Sequence, residues 1–435
     1  VKLLLFDASL RFGYDTRMLT EKMILKDTQI TKFSLYGFFK NLKFFEPYLF
    51  IFLMANGQDL FQIGILMAIM ETVLYLLEIP SGLIADRYGR KRTLVICFLF
   101  YIISFIIFFT GHSFPVYAAA MVFFGMGESF RSGTHKAMIY RYLDIKAWES
   151  YKTLVYGRTR SFSLLGTALS SVAAIALALH LPALRAIFLA AIVPYLADII
   201  LILSYPDSLD KEEPDAEPPS SFFAFSKTII KSLALNPPLR KALLNSSLFD
   251  SVFKTIKDYI QPITLAYLTL PAAWSGGFDK ETGEKIVLGL LYALFALSGA
   301  WASRYVHRLV PRFGLSGLAD RYILWAGLFF LLTASFLSLD IFYPVLALYL
   351  LLNVLKDSRR PLLVETIGNL ARKEGRATVL SVESQLKSLF TVLLAPLFGL
   401  MAQKASIPVA FLFLSLLMLF LYFFLRTHVN KGGTV

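Results

Sequence analysis

Apolar runs of about twenty residues recur along the whole chain, each long enough to cross the hydrocarbon of a bilayer as a helix. Twelve candidate spans can be drawn, at 33–54, 61–83, 94–110, 115–143, 161–179 and 186–205, then at 243–268, 286–303, 322–339, 343–367, 378–401 and 407–425. The fourth, seventh and tenth turn polar toward one end. The pattern predicts an all-α membrane protein with twelve transmembrane helices in two pseudo-symmetric six-helix bundles. The bundles cover 33–205 and 241–425, joined by a linker at 206–240 and flanked by tails at 1–32 and 426–435.

Composition agrees. The 435 residues are 57% hydrophobic and 17% charged, with 40 Phe, and the mean hydropathy is +0.63. A soluble domain could not hide so much apolar surface around one core. No cleavable leader is evident, and the first tail is read as cytoplasmic, with a short amphipathic helix. Cys97 is the one cysteine and lies in an apolar run, and the five histidines have no ligand spacing, so neither a disulfide nor a metal centre is predicted. No cofactor is predicted either.

The net charge of +13 reads as topology rather than as a nucleic-acid surface. Alternate connections carry Arg87, Arg90, Lys91 and Arg92, then Lys146, Lys152, Arg158 and Arg160, then Arg304, Arg308 and Arg312, then Arg372, Lys373 and Arg376. The opposite connections hold only Arg185, Lys280, Lys285 and Lys404. That asymmetry predicts a multi-pass protein of the cell membrane with both termini in the cytoplasm. In the linker, Asp207, Asp210, Glu212, Glu213, Asp215 and Glu217 alternate with Pro214, Pro218 and Pro219, a solvated boundary. Residues 222–235 beyond it look amphipathic and suit either the inner membrane surface or an ordinary linker helix.

The most specific signal joins the second and third spans: Glu78-Ile79-Pro80-Ser81-Gly82-Leu83-Ile84-Ala85-Asp86-Arg87-Tyr88-Gly89-Arg90-Lys91-Arg92. Gly82 and Gly89 permit close approach and a tight turn. Asp86 suits a helix N-terminus or a breakable pair with an arginine of the cluster. Topology alone explains the arginines but not the ordered Gly, Asp and Gly. The stretch resembles the Gly-x-Leu-x-Asp-Arg-x-Gly-Arg-Lys signature of the major facilitator superfamily of secondary transporters, with Gly82, Leu83, Asp86, Arg87, Gly89, Arg90 and Lys91 in register. The resemblance implies a gating role for Gly82, Asp86, Arg87, Gly89, Arg90 and Lys91. Arg376-Ala377-Thr378-Val379-Leu380-Ser381, at the start of the eleventh span, is similar to a pattern of drug-efflux members. The glycine-proline motif of antiporter members is missing from the fifth span, where Gly166-Thr167-Ala168-Leu169-Ser170-Ser171 offers only small residues.

The halves also repeat each other. Lys40-Asn41-Leu42-Lys43 precedes Glu46-Pro47 in the first span, and Lys254-Thr255-Ile256-Lys257 precedes Gln261-Pro262 in the seventh. Glu128-Ser129-Phe130-Arg131 in the fourth is echoed by Asp357-Ser358-Arg359-Arg360 in the tenth, and Gly157-Arg158 by Gly375-Arg376. Such repeats are the trace of parallel transporter halves. They differ at the gate, where Ser303-Arg304-Tyr305-Val306-His307-Arg308 keeps the charge and loses the acid.

A charge at mid-bilayer costs at least ~2.5–3.5 kcal/mol, so such residues face a bundle interior or a wet cavity. Lys43, Glu46, Arg131, Asp250, Lys254, Lys257, Asp357 and Arg360 fall in the first, fourth, seventh and tenth spans, which line the central cavity in this superfamily. They are the candidate substrate-binding residues. The competing account is structural: Lys254 paired with Asp250 or Asp258 within one helix. Glu71 and Glu128 are the proton-coupling candidates, since burial raises a carboxyl pKa and a nearby cation lowers it; no cation lies near Glu71 in sequence. His135, beside Lys136, reads as a gate or loop contact.

No nucleophile with an oriented base, paired-metal site or nucleotide loop is evident, so catalysis is not expected. The expected function is secondary transport by alternating access in a monomer, coupled to protons and exporting a small amphipathic or anionic organic molecule. Uptake of an anionic metabolite is the alternative. A non-transporting sensor or assembly partner on the same fold belongs to a different class.

Overall fold

The computed structural model describes residues 21–131, 133–210, 237–269, 279–370 and 376–425. The described residues form helices without a strand. In the first half these are α1 (Thr28–Lys40), α2 (Leu49–Ala55), α3 (Leu60–Tyr88), α4 (Arg90–Thr110), α5 (Phe114–Arg131), α6 (Thr134–Ile145), α7 (Lys152–His180) and α8 (Ala186–Leu203). The second half has α9 (Pro237–Ile256), α10 (Ile260–Tyr267), α11 (Lys280–Tyr305), α12 (Leu315–Ser338), α13 (Tyr343–Leu370), α14 (Arg376–Lys404) and α15 (Ile407–Leu425).

Each predicted span coincides with helix, but not all are continuous. Among the described residues, eight helices are long and apolar enough to cross a membrane, and they correspond to the second, third, fifth, sixth, eighth, ninth, eleventh and twelfth spans. The other four are the first, fourth, seventh and tenth, which carry the predicted substrate-binding residues. The first, predicted as one helix over 33–54, stops at Lys40 and resumes as a 3-10 turn over Glu46–Tyr48 followed by α2. The Asn41 side chain turns back to the Gly37 carbonyl at 2.6 Å, and Pro47 has no N–H to continue a helix. The seventh is interrupted by a 3-10 turn over Lys257–Tyr259. The fourth, predicted over 115–143, divides into α5 and α6 around Gly133, whose φ is 80°. Broken backbone at membrane depth is stable only inside protein or along a cavity, where other groups serve the freed N–H and C=O groups.

Lipid-side residues such as Val193, Ile200, Trp301, Leu393, Phe420 and Phe423 are exposed, as a bilayer-facing surface requires. Within the first half, Gly166 of α7 lies against the backbone of Phe38, so the small residues of the fifth span close the bundle on α1. The halves meet through α3 against α14 and α7 against α11. At the sparsely charged face this contact is tight: Gly64 abuts Ala395 and Pro396, Gly399 abuts Leu60, and the Tyr48 hydroxyl donates to the Lys285 carbonyl at 2.8 Å. Within the stretch read as the first tail, residues 21–26 are helical and α1 starts at Thr28 under a cap from Asp27, whose carboxylate accepts from the Gln29 and Ile30 N–H groups. The amphipathic stretch at 222–235 and the tail at 426–435 lie outside the described residues.

Candidate functional site

The broken spans bring their polar residues to the interface of the halves. Gln261, on α10, stitches the two breaks together: its amide donates to the Glu46 carbonyl at 3.0 Å and to the Tyr292 hydroxyl at 2.8 Å, while its carbonyl oxygen accepts from the Phe50 N–H at 2.8 Å. Tyr292 in turn donates to Asp258 at 2.5 Å. The backbone groups freed by one break are thereby served by a side chain from the other half.

Two chambers lie along this interface. The first, about 220 Å³, is lined by Lys43, Glu46, Glu71, Glu128, Lys254, Lys257 and Asp258 among Phe45, Leu49, Met67, Met70, Phe108, Met121 and Phe124. The second, about 210 Å³ and nearer the basic face, is lined by Asn41, Arg160, Thr167, Tyr292, Asn353, Lys356 and Asp357. Glu46 and Lys257 line both, and they are ion-paired across the halves.

Every predicted lysine has an acid. Lys254 pairs with Glu71 of α3, whose side chain is fully buried. The intrahelical partners expected for Lys254 are occupied elsewhere: Asp250 meets Arg360 at 3.4 Å, and Asp258 takes Tyr292 and lies 3.7 Å from Lys257. Lys43 contacts Glu128 at 3.2 Å and stands over the Phe124 ring at 5.4 Å. Glu128 also holds Arg131, which reaches the Tyr101 hydroxyl at 3.3 Å. The expectation of a basic cavity is therefore altered, since a solute meets pre-formed ion pairs rather than bare cations. Arg131, Asp250 and Arg360 lie outside the lining of both chambers, and Asp357 lines the second beside Lys356, at 3.5 Å.

The gate residues also differ from expectation. Gly82 makes no turn and lies inside α3, which runs on to Tyr88. Asp86 sits in the last turn of α3 rather than at a helix N-terminus, and reaches Arg90 at 3.3 Å. The turn is at Gly89, with φ 105°, a conformation that favours glycine. Arg87 is exposed, its guanidinium 5.5 Å from the Tyr88 ring. Lys91 is held by the start of the linker: its N–H donates to the Asp210 carboxylate at 2.7 Å, and its ammonium meets the Tyr205 carbonyl at 2.9 Å and Asp207 at 3.0 Å. Gly314, with φ 71°, starts α12, and the buried Asp320 accepts from Asn245 at 3.5 Å.

The sequence of the Major Facilitator Superfamily, as a family model, matches residues 35–355. The chain belongs to the major facilitator superfamily. One relative, the uncharacterized MFS-type transporter YxaM of Bacillus subtilis (strain 168), is 31% identical over 97 residues, which is 22% of this chain and 24% of YxaM. Among solved structures, the nucleoside transporter NupG superposes with a TM-score of 0.72 at 10% identity, covering 92% of this chain and 98% of NupG. A POT family transporter in complex with 5-aminolevulinic acid gives 0.69 at 14% identity over 91% and 94% of the two chains. A peptide transporter POT in complex with sulfate gives 0.71 at 12% over 91% and 93%. These structural likenesses carry the fold. With family and fold in hand, the chain is a multi-pass membrane protein of the MFS type.

Gln261, Tyr292, Arg160 and Lys356 escaped the sequence reading. Gln261 had a signal, the shared Gln-Pro and Glu-Pro positions of the repeat. Arg160 was counted as a loop charge, yet α7 extends back to Lys152 and carries it into the interface.

Proposed function

We propose that this MFS member is a proton-coupled exporter of a small amphipathic organic molecule bearing an anionic group, working by alternating access as a monomer in the cell membrane with cytoplasmic termini. The observation that carries the reading is the pair of ion pairs, Lys257–Glu46 and Lys254–Glu71, bridging the halves inside one partly apolar chamber. A proton on either glutamate removes a tie between the halves, which links proton binding to the change of access. The Phe and Met lining suits the apolar body of such a solute. With cytoplasmic termini, the tight contacts at Gly64, Gly399 and Tyr48 close the outer face. Export follows from the likeness at Arg376–Ser381 to efflux members, and uptake through the same cavity is its mirror.

The test is transport in proteoliposomes with an imposed pH gradient and a panel of labelled organic anions. Movement of one anion against its gradient toward the acidic compartment, lost in Lys257→Ala, supports proton-coupled export; movement of the opposite sign supports uptake. Transport indifferent to pH overturns the coupling. A non-transporting relative would leave reporter cysteines on the two faces without reciprocal changes in labelling.

A further inference from the structure

Inside the first half, away from both chambers, Asp198 of α8 is fully buried and neither of its carboxylate oxygens has a hydrogen-bond partner. The buried Tyr36 hydroxyl on α1 is also without one. An ionised carboxylate so enclosed costs several kcal/mol, and such a group meets that cost by taking a proton. Buried polar atoms without protein partners are also those that ordered water serves.

The surroundings of Asp198 form a row from the surface inward. His135 of α6 is half-buried. Its Nε2 lies 3.2 Å from the Tyr205 hydroxyl, and its ring stacks on Tyr36 at 3.6 Å. Tyr205 lies seven residues after Asp198 and two beyond the end of α8 at Leu203. At the inner end Lys40 closes α1 where the first span breaks, and its carbonyl accepts from Tyr195 at 3.3 Å. Tyr195 precedes Asp198 by three residues on α8, which sets the carboxyl one turn from that contact with Lys40. From α5, Glu128 and Arg131 face the same Lys40, Lys40 and Arg131 in turn face His135 of α6, and Tyr101 of α4 bonds Arg131.

We propose that Asp198 is a proton-binding site within the first half, loaded from the basic face through His135 and Tyr205 and linked through Lys40 to the break in the first span. In loading, the N–H bond of a His135 imidazolium breaks and an O–H bond forms on Asp198, with the Tyr205 hydroxyl and water passing the proton; His135 recovers its proton from solvent. A neutral Asp198 withdraws the counter-charge of Lys40, three residues from the Lys43 that holds Glu128 in the first chamber. The inference rests on the proton-coupled reading and adds a site outside the substrate path.

The experiment needs no substrate. Infrared difference spectra of the purified full chain in liposomes are recorded after a pH jump, with the proton as the probe. The expected result is a pH-responsive carboxylic-acid C=O band that disappears in Asp198→Asn and persists in Glu71→Gln and Glu128→Gln. Tyr205→Phe keeps the ring and removes the bridging hydroxyl, so the band should keep its amplitude and respond at least about tenfold more slowly. This variant also carries the test if Asp198→Asn does not fold. Bands unchanged in Asp198→Asn, or an Asp198 band indifferent to pH, overturn the site; an unchanged rate in Tyr205→Phe overturns the route. A wild-type band that responds as expected beside transport indifferent to pH sinks the coupling reading and leaves the site standing.

Discussion

Lys257 and Glu46, 211 residues apart, form an ion pair that stands between the two chambers and joins the two halves at the breaks of their first helices. Both side chains are about one-third exposed to the chambers, at 39% and 32%, so the pair is wet enough to open. Its strength lies between a surface pair, ~0–1 kcal/mol, and a buried one.

Reversing the pair tests that link. Glu46→Lys and Lys257→Glu should each lower the melting temperature in detergent, by about 1–2 kcal/mol of stability, and the double reversal should recover most of it. Additive losses would mean that the two residues do not act on each other.

The Lys254–Glu71 pair is drier, with Glu71 fully buried. Lys254→Ala leaves that carboxylate without its cation and should cost about 3–5 kcal/mol, whereas Lys254→Met with Glu71→Gln should cost much less. Thermal unfolding of the three proteins checks the order. A milder Lys254→Ala would indicate that solvent reaches Glu71.

Gly64 has room only for hydrogen, because a Cβ would meet the backbone of Ala395 and Pro396. Gly64→Val should pry α3 from α14 at the sparsely charged face and bias the protein toward the state open there. A reporter cysteine at the buried Tyr48 should then label faster, against little background from the buried Cys97. Unchanged labelling would show that this contact does not hold the face shut.

Gly89 and Asp210 are coupled. A side chain at Gly89 would need φ 105° and would meet the Asp210 carboxylate at 2.7 Å. Gly89→Ala should cost ~1–3 kcal/mol through strain, and Asp210→Ala about 0.5–1.5 kcal/mol through the lost bond to Lys91. In the double variant the collision term vanishes, so the summed loss should fall short of the two single losses. Chemical denaturation measures all three.

Much of this was legible in the chain itself. Apolar length and a period-free hydrophobic run require helices that satisfy their own backbone in lipid, and alternating Arg and Lys clusters order the loops. The repeat of Lys-x-x-Lys before Glu-Pro and Gln-Pro marked the first helix of each half as facing a cavity, because charge is tolerated at that depth only there, but both spans read as continuous and their breaks appear only in the structure. The partners were not legible. Glu71 has no cation near it in sequence, and only the packing of α3 against the second half brings Lys254 to it; Asp250, one turn from Lys254, goes instead to Arg360. Asp86 reads as a helix start or as a partner for an arginine of the cluster, and it meets Arg90 from the last turn of α3, which runs through Pro80 and Gly82 and turns only where Gly89 adopts positive φ. Sequence determined which spans carry charge into the membrane; the tertiary fold decided which of those charges are buried and which meet, because burial and pairing depend on distances across helices that no spacing along the chain encodes.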